Sequence, residues 1–185
     1  MKYAIAVAGM PGAGKGSLSK IAKVNGFRVY NCGDVVREEA LNQGETLDRL
    51  TLRKLMYTLR EKEGPAVIIK RMMSKIDPQD TSPLLVEGVR SLEEVQELKK
   101  ICPVILFAIH TSPKERYVRL RRRGRSDDPT DQNEFDRRDR EELMIGLGNV
   151  IALADHMVVN EGGLTEFELT VRDSLRKTKP SLSAL

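Results

Sequence analysis

The residues with the clearest chemical pattern are Gly-Met-Pro-Gly-Ala-Gly-Lys-Gly-Ser at positions 9–17. An apolar run before them predicts a strand, and residues 15–24 predict a helix. Gly12 and Gly14 allow the backbone to turn, so that successive N–H groups point inward near the positive end of that helix. Lys15 can reach β- and γ-phosphate oxygens. The segment therefore predicts a loop that binds a nucleoside triphosphate; the alternative is a glycine turn without a ligand.

Charged side chains also follow the second and third predicted strands. Asp34 and Arg37 come directly after the second strand, and Glu87 and Arg90 lie at the end of the third. An acid at the end of a buried strand beside a phosphate loop commonly orders a magnesium shell, so Glu87 is a candidate for that role. The alternatives are a first-turn acid with a solvated arginine, and a salt bridge within a turn.

A concentration of arginines lies between residues 116 and 140. Phosphoryl transfer spreads negative charge over several oxygens, which bidentate arginines stabilise well. For any single arginine, a solvated position paired with a neighbouring acid is an equal alternative. The nine are Arg116, Arg119, Arg121, Arg122, Arg123, Arg125, Arg137, Arg138 and Arg140.

Composition predicts one soluble domain over residues 1–178, followed by a flexible tail at 179–185. The net charge is +4, hydrophobic residues make up 40%, and no apolar run approaches the length of a membrane span. The start of the chain does not have the pattern of a signal peptide. Two cysteines without C-x-x-C spacing indicate a reducing cytoplasm and no structural zinc.

Alternating strand and helix patterns predict a three-layer α/β/α fold with a parallel sheet. The long connection at about 31–82 predicts a helical insertion that closes over a second substrate, with helices at 34–41, 47–62 and 65–76. The five predicted strands, in sheet order 2-3-1-4-5, are Tyr3–Ala8, Phe27–Tyr30, Pro83–Glu87, Val104–His110 and His156–Val159.

The loop at residues 9–17 resembles that of adenylate kinases and related nucleoside-monophosphate kinases, since Gly16 follows the lysine and Ser17 comes next. These kinases have a Thr-Gly-Asp-x-x-Arg segment, which residues 32–37 match except that cysteine replaces threonine. Their Asp-Gly-Phe-Pro-Arg segment is matched by Arg90, although the proline is missing and one residue is deleted. Glu94 falls where they have a glutamine that reads the acceptor base.

Residues 154–163 resemble the C-terminal part of dephospho-coenzyme A kinases, in which the loop after the last strand packs near the donor adenine. This resemblance implies backbone contacts from Asn160, with a simple turn as the alternative. The whole match covers residues 3 to about 175. It is similar to an archaeal family of adenylate-kinase-related P-loop proteins that lies between adenylate kinases and dephospho-coenzyme A kinases.

The resemblance implies a P-loop NTPase fold and an ATP-dependent kinase that uses Mg²⁺ and phosphorylates a nucleoside monophosphate such as AMP. It also implies that the region at about 116–140 is a short lid over the phosphates. The alternatives are transfer to a hydroxyl, as in dephospho-coenzyme A kinases, with Asp34 as the general base, or an ATP-driven switch that binds RNA or a ribosomal partner. Nucleic acid is not the expected partner, because the basic segment has few aromatics for stacking. No membrane contact is expected.

The predicted site residues fall into four groups. Catalysis is assigned to Lys15, Arg90, Arg123, Arg125 and Arg138. Metal binding is assigned to Ser17 and Glu87. Acceptor binding is assigned to Cys32, Gly33, Asp34, Arg37, Gly88, Arg90 and Glu94. ATP binding is assigned to Gly9, Met10, Pro11, Gly12, Ala13, Gly14, Lys15, Gly16, Ser17 and Asn160.

Overall fold

A five-stranded parallel sheet forms the middle layer of the computed structural model, which describes residues 3–178. The observed strand order, β2-β3-β1-β4-β5, confirms the predicted order. Each neighbouring pair is parallel, as the alternation of strands and helices requires. The predicted flexible tail lies outside the described residues. The strands are β1 (Ala4–Ala8), β2 (Arg28–Asn31), β3 (Leu84–Glu87), β4 (Val104–His110) and β5 (His156–Val159).

Helices connect successive strands and cover both faces of the sheet. Among residues 3–178, every helix is too short or too polar to cross a bilayer. The helices are α1 (Lys15–Val24), α2 (Cys32–Asn42), α3 (Arg49–Glu63), α4 (Val67–Met73), α5 (Leu92–Lys99), α6 (Pro113–Arg123), α7 (Gln132–Ile145), α8 (Leu147–Ala152) and α9 (Leu164–Lys177).

The central strand β1 is fully buried and divides the core in two. Because successive strand residues point to opposite faces, Ile5 and Val7 pack with α1 and α9, while Ala6 and Ala8 pack with α2, α4 and α8. Parallel strands place their carboxyl ends at one edge of the sheet. The loops after β1, β2, β3 and β4 therefore open at the same edge, where ligands bind in open α/β sheets.

Two of the connections between strands contain three helices each. Helices α2, α3 and α4 join β2 to β3, and α6, α7 and α8 join β4 to β5. Helix α3 begins at Arg49 rather than at the predicted residue 47, because the Asp48 carboxylate caps it by accepting from the N–H groups of Leu50 at 2.9 Å and Thr51 at 3.0 Å. The predicted third helix of this insertion, 65–76, is shortened to Val67–Met73.

Candidate functional site

The phosphate loop lies between the end of β1 and the start of α1. Gly12 and Gly14 have φ angles of +84° and +107°, a region that side chains disfavour. A Cβ on Gly12 would lie 2.9 Å from the Arg116 carbonyl oxygen, and one on Gly14 would overlap the Asn160 amide. Glycine is therefore required here both by backbone conformation and by the close approach of neighbouring groups.

Two residues far along the chain hold this loop from behind. The Asn160 side-chain amide donates to the Ala13 carbonyl oxygen at 2.8 Å, and Asn160 is buried. The Thr111 hydroxyl lies 3.1 Å from the Ala13 oxygen and 3.0 Å from the Asn160 oxygen. The side chain of Asn160 thus braces the loop backbone, and Asn160 does not line the cavity in front of it. The supporting residue Thr111 was not identified from the sequence.

Arg116 is buried beneath the same loop, with 3% of its surface exposed. Its guanidinium donates to the carbonyl oxygens of Pro11 at 3.2 Å and Thr111 at 3.1 Å, and to the Asp139 carboxylate at 2.8 Å. It also lies 5.0 Å above the Phe135 ring. The sequence showed Arg116 only as one of nine arginines, whereas its contacts tie the loop to helix α7.

Replacing Arg116 by alanine is expected to lower the free energy of unfolding by about 3–5 kcal/mol, because it leaves two buried carbonyls and a carboxylate without their donor. Urea denaturation would measure this loss. The matched variant Arg122→Ala, on the exposed side of α6, should change it by less than about 0.5 kcal/mol. Equal effects of the two substitutions would contradict this role.

A cavity of about 420 Å³ opens in front of the phosphate loop. Residues that were not assigned to the site from the sequence also line it, among them Lys20, Asn31 and Arg119. The structure thus gathers most of the predicted site residues around one space. Those lining it are Gly9, Pro11, Gly12, Gly14, Lys15, Gly16, Ser17, Gly33, Arg37, Glu87, Gly88, Arg90, Arg123, Arg125 and Arg138.

The other predicted residues lie elsewhere. Met10 and Ala13 belong to the loop but do not line the cavity, and Asp34 points outward with its carboxylate 2.9 Å from Arg37. Cys32 is buried in the core, and burial raises the pKa of its thiol, so it is a neutral packing residue. It is therefore not placed to contact an acceptor.

Glu94 does not line the cavity either. It is fully buried, pairs with Arg60 at 2.7 Å and accepts from the Arg90 N–H at 2.7 Å. The Ser91 side chain caps helix α5 by accepting from the Glu94 N–H. Glu94 thus fixes the turn into α5, and the geometry does not support the predicted role in reading an acceptor base.

Lys15 is held close to the loop. Its ammonium donates to the carbonyl oxygens of Gly9 at 2.6 Å and Met10 at 3.2 Å. Burial lowers the pKa of Lys15 to about 8, although the nearby Glu87 carboxylate acts in the opposite direction. This lysine therefore begins to lose its charge not far above neutral pH.

The low pKa of Lys15 makes triphosphate binding sensitive to pH. Since the charged form binds phosphate, the Kd for MgATP should rise as pH increases through about 8. Calorimetric titrations from about pH 7 to about pH 9.5 would measure this change, because the terminal phosphate, with a second pKa of about 6, titrates mostly below this range. The Lys15→Ala variant should bind MgATP weakly, and its Kd should show no inflection near pH 8. An inflection in this variant would mean that another group causes the pH dependence.

Glu87 and Ser17 are the predicted metal-binding pair, and both line the cavity. The Ser19 hydroxyl lies 2.6 Å from one Glu87 oxygen and holds this carboxylate in place. One carboxylate and one hydroxyl beside a phosphate loop fit Mg²⁺, which prefers oxygen ligands and is usually held together with substrate phosphates and water. Ser19, one turn from the loop, was not identified from the sequence.

Carboxylates hold the cavity arginines in position. Arg90 lies 2.8 Å from Glu142 and also donates to the Gly88 carbonyl at 3.1 Å. Arg123 lies 2.8 Å from Asp128, while Arg138 donates to the Asp127 carbonyl at 2.9 Å. Burial alone would raise the pKa of Glu142, but Arg90, Arg138 and Lys15 together outweigh it, and the pKa lies below its ordinary value. These arginines face the cavity already oriented for anions.

The fold and the loop together define a P-loop kinase-like domain. A family model described as "AAA domain" matches residues 8–136. A UPF0200 protein of Hyperthermus butylicus is 50% identical over 173 residues, covering 94% of this chain and 93% of that protein. Another, from Staphylothermus marinus, is 42% identical over 164 residues, covering 89% and 86%. The chain belongs to the UPF0200 family of archaeal P-loop proteins, which confirms the predicted relationship.

Solved structures show the same fold at low sequence identity. TT1252 from Thermus thermophilus superposes with a TM-score of 0.65 at 18% identity, covering 96% of this chain and 98% of that one. Shikimate kinase from Acinetobacter baumannii, solved in complex with shikimate, gives 0.59 at 16% identity, covering 97% and 96%. The three-layer P-loop kinase fold predicted from the sequence is thereby confirmed.

Proposed function

We propose that the chain is an ATP-dependent phosphotransferase that moves the γ-phosphoryl group of MgATP to a nucleoside monophosphate such as AMP. One observation carries this proposal: the phosphate loop and the arginines of three separate segments line the same cavity of about 420 Å³. A donor triphosphate and an anionic acceptor can therefore share one space, as direct transfer between them requires. Residues 1–178 would act as one kinase domain, with the insertion at about 31–82 on the acceptor and the region at about 116–140 as lid.

The donor would bind at the phosphate loop. Its backbone N–H groups and the Lys15 ammonium would contact the β- and γ-phosphate oxygens. Ser17 and Glu87 would hold Mg²⁺, which, when bound, would neutralise part of the triphosphate charge. Asn160, Thr111 and Arg116 would keep the loop rigid during the reaction, since all three bond to its carbonyl groups or to one another.

The acceptor phosphate would bind on the opposite side. Arg37 follows β2 and Arg90 follows β3, and both line the cavity that the loop also lines. Two guanidinium groups favour an acceptor that already carries a phosphate over a neutral alcohol. Arg123, Arg125 and Arg138 would exchange carboxylate partners or water for phosphate oxygens and stabilise the charge that develops during transfer.

A panel of acceptors tests the proposal. The chain is incubated with ATP, Mg²⁺ and, separately, AMP, CMP, GMP, UMP, dephospho-coenzyme A or shikimate, and the products are identified by mass. We expect a nucleoside diphosphate from at least one monophosphate. Phosphorylation of dephospho-coenzyme A or shikimate alone would replace the proposal with hydroxyl transfer, a reaction for which the outward-facing Asp34 is poorly placed as a base.

A further inference from the structure

A smaller cavity, of about 100 Å³, adjoins the first on the side of α3 and α7. Because six residues line both cavities, a molecule whose phosphate lies at the boundary can extend from one into the other. Three of the six are arginines suited to that phosphate. The shared residues are Gly33, Arg37, Arg90, Asp127, Arg138 and Glu142.

Apolar side chains form most of the remaining wall of this smaller cavity. Val36, Leu52, Met56 and Ile145 come from helices α2, α3 and α7. An apolar lining with a few polar groups favours the flat rings of a heterocycle over a strongly hydrated acceptor.

The polar groups of the smaller cavity are left incompletely bonded. One oxygen of Glu141 accepts from Arg49 at 3.0 Å and lies 3.3 Å from Arg53. The other oxygen, Oε1, is buried, makes no hydrogen bond within residues 3–178, and lies 4.0 Å from Arg137 Nε, at the limit of an ion pair. The Arg49 Nη2 donor is also buried and unbonded within the same part of the chain. Together with Arg53 Nε, two donors and one acceptor thus remain without a hydrogen bond on three side chains that line one cavity.

Buried polar groups without partners are costly, and in native proteins they commonly mark a ligand or water site. We propose that Glu141 and Arg49 recognise the base of the acceptor nucleotide, an inference that rests on the proposed function. A nucleobase edge presents a hydrogen-bond donor beside an acceptor, which complements the free Glu141 oxygen and the free Arg49 N–H. The negative charge of Glu141 would instead repel an acceptor that carries a carboxylate. The substrate class is therefore a nucleoside monophosphate, read at its base by α3 and α7.

A purely structural role for the same ion pair makes a different prediction. If Glu141 and Arg49 only joined α3 to α7, their loss would slow every acceptor equally and would also change the KM for MgATP. Recognition of the base instead predicts that the loss depends on which base is present. The decisive quantity is the ratio of kcat/KM values among AMP, CMP, GMP and UMP.

The experiment compares wild type, Glu141→Gln and the control Asp136→Asn, which makes the same chemical change on an exposed part of α7. We expect Glu141→Gln to change the ratio between the best and second-best monophosphate by about tenfold or more, with the KM for MgATP within about twofold. Asp136→Asn should leave both unchanged. Equal loss for all four monophosphates would overturn the inference while leaving the proposed function intact.

Two further results distinguish a failure of the proposed function from a failure of the inference alone. If the wild type phosphorylates no monophosphate but does use another acceptor, the proposed function fails, and the inference fails with it. If Glu141→Gln does not fold by circular dichroism, Glu141→Asp retains the charge beside Arg49 and Arg53 but shortens the side chain. An unchanged base preference in that folded variant would also overturn the inference.

Discussion

Substituting Lys15 with alanine should reduce phosphoryl transfer by about 10²–10³-fold, the typical loss when one preorganised electrostatic contact to a developing charge is removed. Lys15 is the cation at the start of α1 within the phosphate loop, and its side chain lines the cavity. The remaining backbone donors of the loop would still bind phosphate, but the positive charge of Lys15 beside the transferred group would be missing. Steady-state turnover with MgATP and the preferred monophosphate measures the loss.

The fold should survive this substitution, because the hydrogen bonds that the Lys15 ammonium donates within residues 3–178 go to two loop carbonyls, those of Gly9 and Met10. Lys23→Ala removes the same charge from an exposed position on α1 and is the matched control. Its turnover should stay within about twofold of wild type. A folded Lys15→Ala protein with full activity would refute the assignment of the donor site.

The sheet and the phosphate loop could be predicted because their signals are local. Alternating or continuous apolar runs marked each strand, and the glycine spacing at residues 9–17 can form few other structures between a strand and a helix. The strand order followed from the resemblance that these motifs support. The predicted start of β3 at Pro83 was one residue too early. Because Pro83 has no N–H and cannot donate to the ladder, β3 begins at Leu84.

The support behind the loop could not be predicted, because its contacts join residues far apart in the sequence. Asn160 bonds to Ala13 across 147 residues, and Arg116 bonds to Pro11 across 105. No local pattern distinguishes Arg116 from the exposed Arg122 on the same helix. The tertiary packing of α6 decides which arginine lies beneath the loop and which faces water.

Glu94 shows how an aligned position can mislead. The resemblance placed it at the base-reading position, yet Ser91 three residues earlier forms an N-cap signature with it, and this local signal was already present in the sequence. The fully buried carboxylate is satisfied by Arg60 and by the Arg90 N–H. Glu141 lines the smaller cavity instead, but its position depends on α7 approaching α3, which no short motif encodes.

Replacing Arg90 with lysine is the second change for which we expect a large effect, a fall in kcat of about 10³-fold. Arg90 was assigned from the sequence both to the acceptor phosphate and to catalysis, and arginines that stabilise a transferring phosphoryl group contribute about 10³–10⁵-fold to turnover. Lysine keeps a positive charge for Glu142, which lies 2.8 Å from the arginine, so the buried carboxylate is not left unpaired. It cannot reproduce the planar, bidentate fork. Measured kcat with saturating MgATP and monophosphate isolates this geometric contribution.

The division between kcat and binding decides what Arg90 does. Because Arg90 follows β3 and lies at the boundary shared by the two cavities, its loss should leave the Kd for MgATP within about threefold while the KM for the monophosphate rises. Arg122→Lys, on the exposed side of α6, should change neither. An Arg90→Lys protein that keeps wild-type kcat would show that the guanidinium serves only to hold Glu142. In that case the acceptor phosphate would have to be bound by Arg37 and Arg138, the other two arginines at the boundary.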